Sequence, residues 1–281
     1  MKTVKSLLSE TKQKLRQNND ETWSIDADLL VMRALGLTRI QLVTHDNDEV
    51  EETQAAELEK LLEKRLSNMP MQYILGSCEF MGLEFKVNEN VLIPRPDTEV
   101  LVEEVLKYKP YSALDIGTGS GAIAVSLAHY GAKSVTACDI SDKALETAKE
   151  NAALNNVDVF FVKSDLFENI SGKFDAIVSN PPYIRKNVIP TLTPQVRDYE
   201  PILALDGGID GLDFYRKIIK KAHGFLNHGG LLAFEIGYDQ GEAVSALMRE
   251  NGYEDVKVIK DLAGLDRVVT GKESGADVFG N

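Results

Sequence analysis

Long apolar runs are missing from this chain of 281 residues. Nothing near the N-terminus approaches the roughly 20 consecutive apolar residues of a membrane-spanning helix, and no signal-peptide core stands there, so neither an anchor nor a leader is expected. Cysteine is scarce. Cys78 and Cys138 lack the close spacing of a metal site, Cys138 sits inside an apolar run, and reduced thiols in a cytoplasmic protein are the simplest expectation. No constellation of metal ligands is visible, and no metal is expected. Positive charge is also short: 31 Lys and Arg stand against 44 Asp and Glu, a formal net charge of −13. A protein that grips duplex DNA gains affinity by neutralising phosphates, so this balance speaks against direct duplex binding. What is present is apolar residues, 43% of the chain, ample for a core. The length suits one large domain, or a medium one with a smaller companion.

Residues 1–75 carry helical periodicity. Val4, Leu7, Leu8 and Leu15 mark one amphipathic stretch; Ala27 to Leu35, ended by Gly36, a second; Leu42-Val43 a short third; Ala55 to Leu66 a fourth. The acidic run Asp46 to Glu52 reads as a solvated loop and helix start. Residues 76–93 change period. Phe80 to Val87 alternates around a glycine turn, which predicts a β-hairpin linker. At Pro94 to Glu99 a helix opens, with Asp97 or Thr98 as its cap and Glu99 in its first turn. From about residue 112, strands and helices alternate to Lys260, followed by a last strand near Asp266 to Thr270 and a loose tail beyond Lys272. The fold class predicted for residues 94–281 is therefore a doubly wound α/β domain. The stretch from Ile184 to Leu212 reads as long and poor in regular structure, as functional loops are.

The chemistry concentrates at strand ends. Ser112 to Ile116 is a short strand that runs into Gly117-Thr118-Gly119-Ser120-Gly121 and then a helix pattern. Glycines let a ligand approach the main chain. Ala122 stands where a dinucleotide enzyme has its third glycine, and Asp115 just before the loop would repel a pyrophosphate but suits a cationic ligand. Asp139 ends the next strand, where a carboxylate accepts ribose hydroxyls. A third strand, Val157 to Val162, leads to Asp165 and Leu166, placed to meet an adenine. Finally Phe174 to Ser179 reads as a buried strand cut off by Asn180-Pro181-Pro182-Tyr183. Neither proline can donate to a ladder, so the chain leaves the sheet in a rigid hook. Alone, Asn-Pro is also a common turn opener. As a hook it offers a carboxamide, free carbonyls and a ring to a flat group bearing NH2.

Glycine loop, strand-end acid, second acid and Asn-Pro-Pro-Tyr follow the chain order of S-adenosylmethionine-dependent methyltransferases. The chain further resembles the PrmC/HemK family of protein glutamine methyltransferases, which modify peptide chain release factors. The pieces are Gln72 to Gly76, Glu79-Phe80, Ile93 to Glu99, Asp115 to Gly121, Ser179 to Ile184, and Glu200-Pro201 leading to Asp206-Gly207-Gly208-Ile209-Asp210-Gly211. They span nearly the whole chain. The resemblance implies a mainly parallel seven-stranded sheet behind an N-terminal helical domain that helps bind the release factor. It implies that residues 117–121, Asp139, Asp165, Leu166 and Asn180 hold S-adenosylmethionine, with Leu166 where many relatives carry an aromatic residue, so that either the stacking is weaker or Phe167 contributes instead. It implies that Asn180, Pro181, Pro182 and Tyr183 hold a glutamine side chain, that of the Gly-Gly-Gln tripeptide.

The reaction expected is methyl transfer to the amide nitrogen, with the Asn180 side-chain oxygen and the Pro181 carbonyl accepting the two amide N–H groups and Tyr183 packing on the flat amide. A monomer in the cytoplasm is expected. The alternative activity is adenine-N6 methylation of nucleic acid, since a flipped base offers a similar NH2 group. A non-enzymatic adenosine binder fits the intact hook poorly, and an NAD-dependent oxidoreductase fails on the glycine spacing.

Overall fold

In the computed structural model of the chain, residues 2–18 and 21–274 are described. They fall into two compact units, residues 1–76 with Pro194–Tyr199, and the remainder.

The first unit is helical: α1 (Val4–Gln17), α2 (Trp23–Leu35), α3 (Arg39–Thr44), α4 (Glu52–Leu66) and the short α5 (Met71–Leu75). Thr3 opens α1 with a reciprocal cap to Ser6, which satisfies two otherwise orphaned N–H groups. Val4, Leu7 and Leu15 then fall on one buried face, packed with Leu30, Val31 and Leu62 in a common core. That core also encloses a charge pair, Arg65 Nε to Asp26 Oδ2 at 2.7 Å, both side chains almost fully buried. Gly36 ends α2, as expected.

The second unit begins with a hairpin, β1 (Ser77–Phe80) and β2 (Leu83–Lys86), turning at Met81-Gly82. Next come α6 (Pro96–Tyr108), β3 (Ser112–Ile116), α7 (Ala122–Tyr130), β4 (Ser134–Asp139), α8 (Asp142–Leu154), β5 (Phe160–Lys163) and β6 (Phe174–Ser179). After α9 (Pro194–Tyr199), which clusters with the helical unit, follow α10 (Asp213–Ala222), β7 (Leu226–Glu235), α11 (Gly241–Glu250), β8 (Tyr253–Lys260) and β9 (Asp266–Glu273). Seven strands form one sheet in the order β5-β4-β3-β6-β7-β9-β8, parallel except where β9 runs against β7 and β8. One core lies around α6 and α7, centred on Leu101, Val125 and Val178; the other lies around α10 and α11, centred on Ile177, Tyr215 and Phe234. Such two-sided burial explains why β3 and β6 read as apolar runs rather than alternating ones. Among the described residues no helix is long and apolar enough to cross a membrane.

Four local expectations need correction. The α6 cap is neither Asp97 nor Thr98: the helix starts at Pro96, whose fixed φ suits the first helical position, and Arg95 precedes it without a side-chain cap. The third sheet strand starts at Phe160, not Val157, because the Val157 N–H is spent on Ala152 O at 3.1 Å in closing α8. The stretch from Ile184 to Leu212 is more ordered than its composition suggests. It holds α9, 3-10 turns at Ile189–Thr191 and Ile202–Ala204, and a bridge from Ile184 to Asp206. Pro190 is the second residue of the first 3-10 turn and Pro194 the first of α9, positions where a missing N–H costs nothing. Lastly, β9 continues through Lys272 to Glu273; the tail expected to be loose lies, from Gly275 on, outside the described residues.

Candidate active site

The chain reverses its direction of travel across the sheet between β3 and β6, which pair directly with Ile116 opposite Ser179. A crevice opens at the carboxyl ends of strands flanking such a switch point. There the structure has a cavity of about 350 Å³, large enough for a nucleoside-sized ligand.

The glycine loop forms one wall. Gly117 and Gly119 line the cavity with positive φ of 73° and 54°, and a Cβ built on either meets nothing within 4 Å. Bare backbone thus faces open space. Thr118 and Ser120 also line the cavity; Gly121 does not, being packed against Ala148 on α8. The end of β4 supplies Asp139. Its Oδ2 accepts from Gly119 N and its Oδ1 from Ser141 N, each at 2.9 Å. Burial raises its pKa above the ordinary carboxylate value, against those two hydrogen bonds. Each oxygen keeps a lone pair for a hydroxyl donor. Asp165 and Leu166 follow on the same wall. Phe167 does not: it is buried and stacked on Phe225 at 4.6 Å, so it cannot stand in for an aromatic residue at 166. The ring that lines the cavity is Phe214 of α10, beneath the ammonium of Lys217 at 5.4 Å. No motif pointed to it, because Phe214 lies outside every strand-end pattern.

Asp115 departs from expectation. It is fully buried, lies behind the loop rather than on the cavity wall, and accepts from Thr118 Oγ1 at 2.6 Å while its Oδ1 has no partner among the described residues. Burial pushes its carboxyl up to about 7, with the Asp139 charge adding and the Thr118 hydroxyl opposing. It holds the loop from behind through Thr118.

The hook after β6 forms the opposite wall. Asn180, Pro181 and Pro182 line the cavity. Among the described residues no donor takes the Pro181 carbonyl. Asn180 Nδ2 donates to Thr98 Oγ1 at 3.3 Å. Tyr183 does not line the cavity: its half-buried ring packs against the α10/α11 core and its hydroxyl donates to Glu235 Oε1 at 3.5 Å. Burial, then the Glu235 charge, raises its pKa. The hook rests on the Asp206–Gly211 segment. Ile184 N donates to Leu205 O and Lys186 N to Gly208 O, and a Cβ on Gly207 would stand 2.7 Å from both Pro182 O and Tyr183 Cα. That explains the glycine there.

Other residues of the site escaped the sequence reading. Arg95 lines the cavity and pairs with the buried Glu200, tying two of the motif pieces together. Glu235 is fully buried at the end of β7 beside the hook, and burial pushes its carboxyl up to about 7. A visible signal existed, since Glu235 is the lone charge in the apolar run Leu231 to Ile236. Among the described residues no group of three or more His, Cys, Asp or Glu is arranged to hold a metal.

Bare glycine backbone, acceptor oxygens at two strand ends and apolar walls fit S-adenosylmethionine, and the sheet and its flanking helices are those of the S-adenosylmethionine-dependent methyltransferases. The solved methyltransferase from Pyrococcus furiosus is 25% identical, with a TM-score of 0.55 over 70% of this chain and 91% of its own. The 16S rRNA N2 G1207 methyltransferase of T. Thermophilus shares the fold at 19% identity, with a TM-score of 0.50 over 70% of this chain and 49% of its own. Family models match at residues 6–76, the PrmC N-terminal domain, and at residues 96–195, the methyltransferase small domain. The release factor glutamine methyltransferase of Clostridium botulinum is 45% identical over 96% of this chain and 99% of its own length. That of Clostridium acetobutylicum is 42% identical over 97% and 99%. The chain belongs to the release factor glutamine methyltransferase family. The adenine-N6 alternative falls with that membership.

Proposed function

We infer that this chain is an S-adenosylmethionine-dependent protein-glutamine N-methyltransferase, acting on the side-chain amide of the Gly-Gly-Gln glutamine in peptide chain release factors. The observation that carries the reading is one cavity with two chemically different walls. On one side lie the bare glycine backbone and Asp139; on the other lie the carboxamide of Asn180 and the untaken carbonyl of Pro181.

Residues 117–120, Asp139, Asp165 and Leu166 hold the cofactor, with Gly121 fixing the loop against α8. Bound there, S-adenosylmethionine supplies a methyl group on a positively charged sulfur and departs as a neutral thioether. An amide nitrogen is a weak nucleophile, because its lone pair is delocalised into the carbonyl, so the protein must orient it. Asn180 Oδ1 and the Pro181 carbonyl accept the two amide N–H bonds, aim the nitrogen into the cavity and stabilise the positive charge that grows on it. Pro182 walls the amide. Tyr183 serves from behind, bracing the hook through its contact with Glu235. The proton shed by the alkylated nitrogen is acidic and leaves to water.

The helical residues 1–75 contribute to holding the release factor, and residues 76–93 link them to the methyltransferase domain at 94–281. The acting species is a monomer in the cytoplasm, where release factors work, and it neither enters a membrane nor binds duplex DNA. Incubating the protein with methyl-labelled cofactor and a release factor tests the reading. Label must enter the intact factor and not one whose Gly-Gly-Gln glutamine is replaced by alanine; equal labelling of both refutes it.

A further inference from the structure

Asn180 serves this reaction only if its oxygen, and not its NH2, faces the cavity; a reversed carboxamide would set donor against donor. Side-chain shape does not decide between the two, because a carboxamide is almost symmetric about its bond to the chain. The decision comes from behind. Asn180 Nδ2 donates to Thr98 Oγ1 at 3.3 Å, and Thr98, in the first turn of α6, is 4% exposed. A threonine hydroxyl both donates and accepts, so alone it tolerates either orientation.

Glu235 breaks that symmetry. In the β6–β7 pairing Ser179 stands opposite Phe234, so one residue further Asn180 and Glu235 leave their strands side by side. The Glu235 carboxyl is buried, and its Oε2 has no hydrogen-bond partner among the described residues. No hydrogen bond from Thr98 to this carboxyl is formed within 3.5 Å among the described residues, yet the Thr98 hydroxyl is near enough to favour its charged form, as a donor does. An ionised carboxylate only accepts.

We propose that Glu235 and Thr98 are positioning residues that fix the polarity of the Asn180 carboxamide. Glu235 draws the Thr98 hydroxyl proton toward itself, Thr98 thereby offers a lone pair to Asn180 Nδ2, and Asn180 Oδ1 is left for the substrate. The proposal rests on the methyl-transfer reading of the site and adds two residues to it. It also gives that step a pH dependence, since a protonated Glu235 can donate to Thr98 and release the constraint. The groups that face Glu235 are Thr98 and Asp97 on α6, Tyr183 after β6, Tyr215 on α10 and Arg267 on β9. Burial sets its carboxyl at about 7, so turnover rises with pH through that region.

The test is steady-state methylation of an intact release factor, alongside calorimetric binding of S-adenosylhomocysteine. Thr98→Val keeps the shape and removes the hydroxyl; it is expected to lower kcat by about 10-fold or more, with S-adenosylhomocysteine affinity within about 3-fold of wild type. Thr98→Ser, which restores the hydroxyl, is expected to recover most of the loss. Glu235→Gln is expected to lose the rise in kcat between about pH 6 and about pH 8.5. Full turnover in Thr98→Val, a loss that serine does not repair, or an unchanged pH rise in Glu235→Gln overturns the proposal. Should Glu235→Gln fail to fold, the Thr98 pair decides alone. Wild-type protein that leaves the release factor unmethylated overturns the functional reading; a fully active Thr98→Val beside an active wild type overturns only the positioning roles.

Discussion

Replacing Asp115 by Asn removes a buried ionisable group while keeping its shape, and the consequence for stability has a definite sign. In the folded protein burial pushes the Asp115 carboxyl up to about 7, from 3.8 in the unfolded chain. Below pH 3.8 both states are protonated and the group contributes no difference. Between there and about 7 the unfolded chain gives up a proton that the folded protein keeps, so the wild type loses stability as the pH rises. The loss is complete above about 7, where the folded state carries the charge itself. At about 1.4 kcal/mol per pH unit, the two units from about pH 5 to about pH 7 amount to about 3 kcal/mol. Asparagine does not titrate and escapes this loss. The variant should therefore gain about 3 kcal/mol relative to wild type between pH 5 and pH 8, or roughly 6–10 °C in melting temperature for a unit of this size. Differential scanning calorimetry of both proteins without cofactor at the two pH values measures it. A melting-temperature difference that stays constant within about 2 °C, or one that shifts the opposite way, refutes the reasoning.

Other expectations follow from the same site. Asp139→Ala removes two acceptor oxygens facing the cavity and orphans the Gly119 and Ser141 N–H groups. With two charge-assisted hydrogen bonds at about 1.5–3 kcal/mol each, S-adenosylhomocysteine should bind about 10²–10⁴-fold more weakly by calorimetry, and a change under about 3-fold would remove Asp139 from the cofactor site. Gly207→Ala forces a Cβ to 2.7 Å from the Pro182 and Tyr183 backbone. It should lower turnover and raise KM for the release factor while S-adenosylhomocysteine affinity holds; unchanged kinetics would show that the hook does not lean on this segment.

Much of the molecule could be read before it was seen, and the divide follows the range of the physics. Gly36, the hairpin at Met81-Gly82 and the break after Ser179 are local events, set by a few residues whose backbone options are narrow. The buried parallel strands announced themselves as continuous apolar runs. What stayed hidden depends on contacts across the sheet. Thr98 looked like a helix cap because threonine caps helices, but Pro96 starts α6 earlier and frees its hydroxyl for Asn180, 82 positions away. Tyr183 ends the hook, as read, but stands off the cavity wall, because its hydroxyl donates across to Glu235 at the end of the neighbouring strand. Asp115 looked like a ligand for a cation because of its charge, but burial behind the glycine loop makes it a structural partner of Thr118. Phe214 supplies a cavity ring from a helix whose sequence spacing says only that one face is buried.

The central claim, a glutamine amide held between Asn180 and Pro181, is tested most directly by mass spectrometry of a release factor incubated with S-adenosylmethionine and either wild-type protein or Asn180→Ala. Wild type should place a single methyl on the Gly-Gly-Gln glutamine, and the variant should do so about 10²–10³-fold more slowly while still binding S-adenosylhomocysteine. Methylation of that glutamine at full speed by Asn180→Ala, or a wild-type methyl found on any other residue instead, would contradict it.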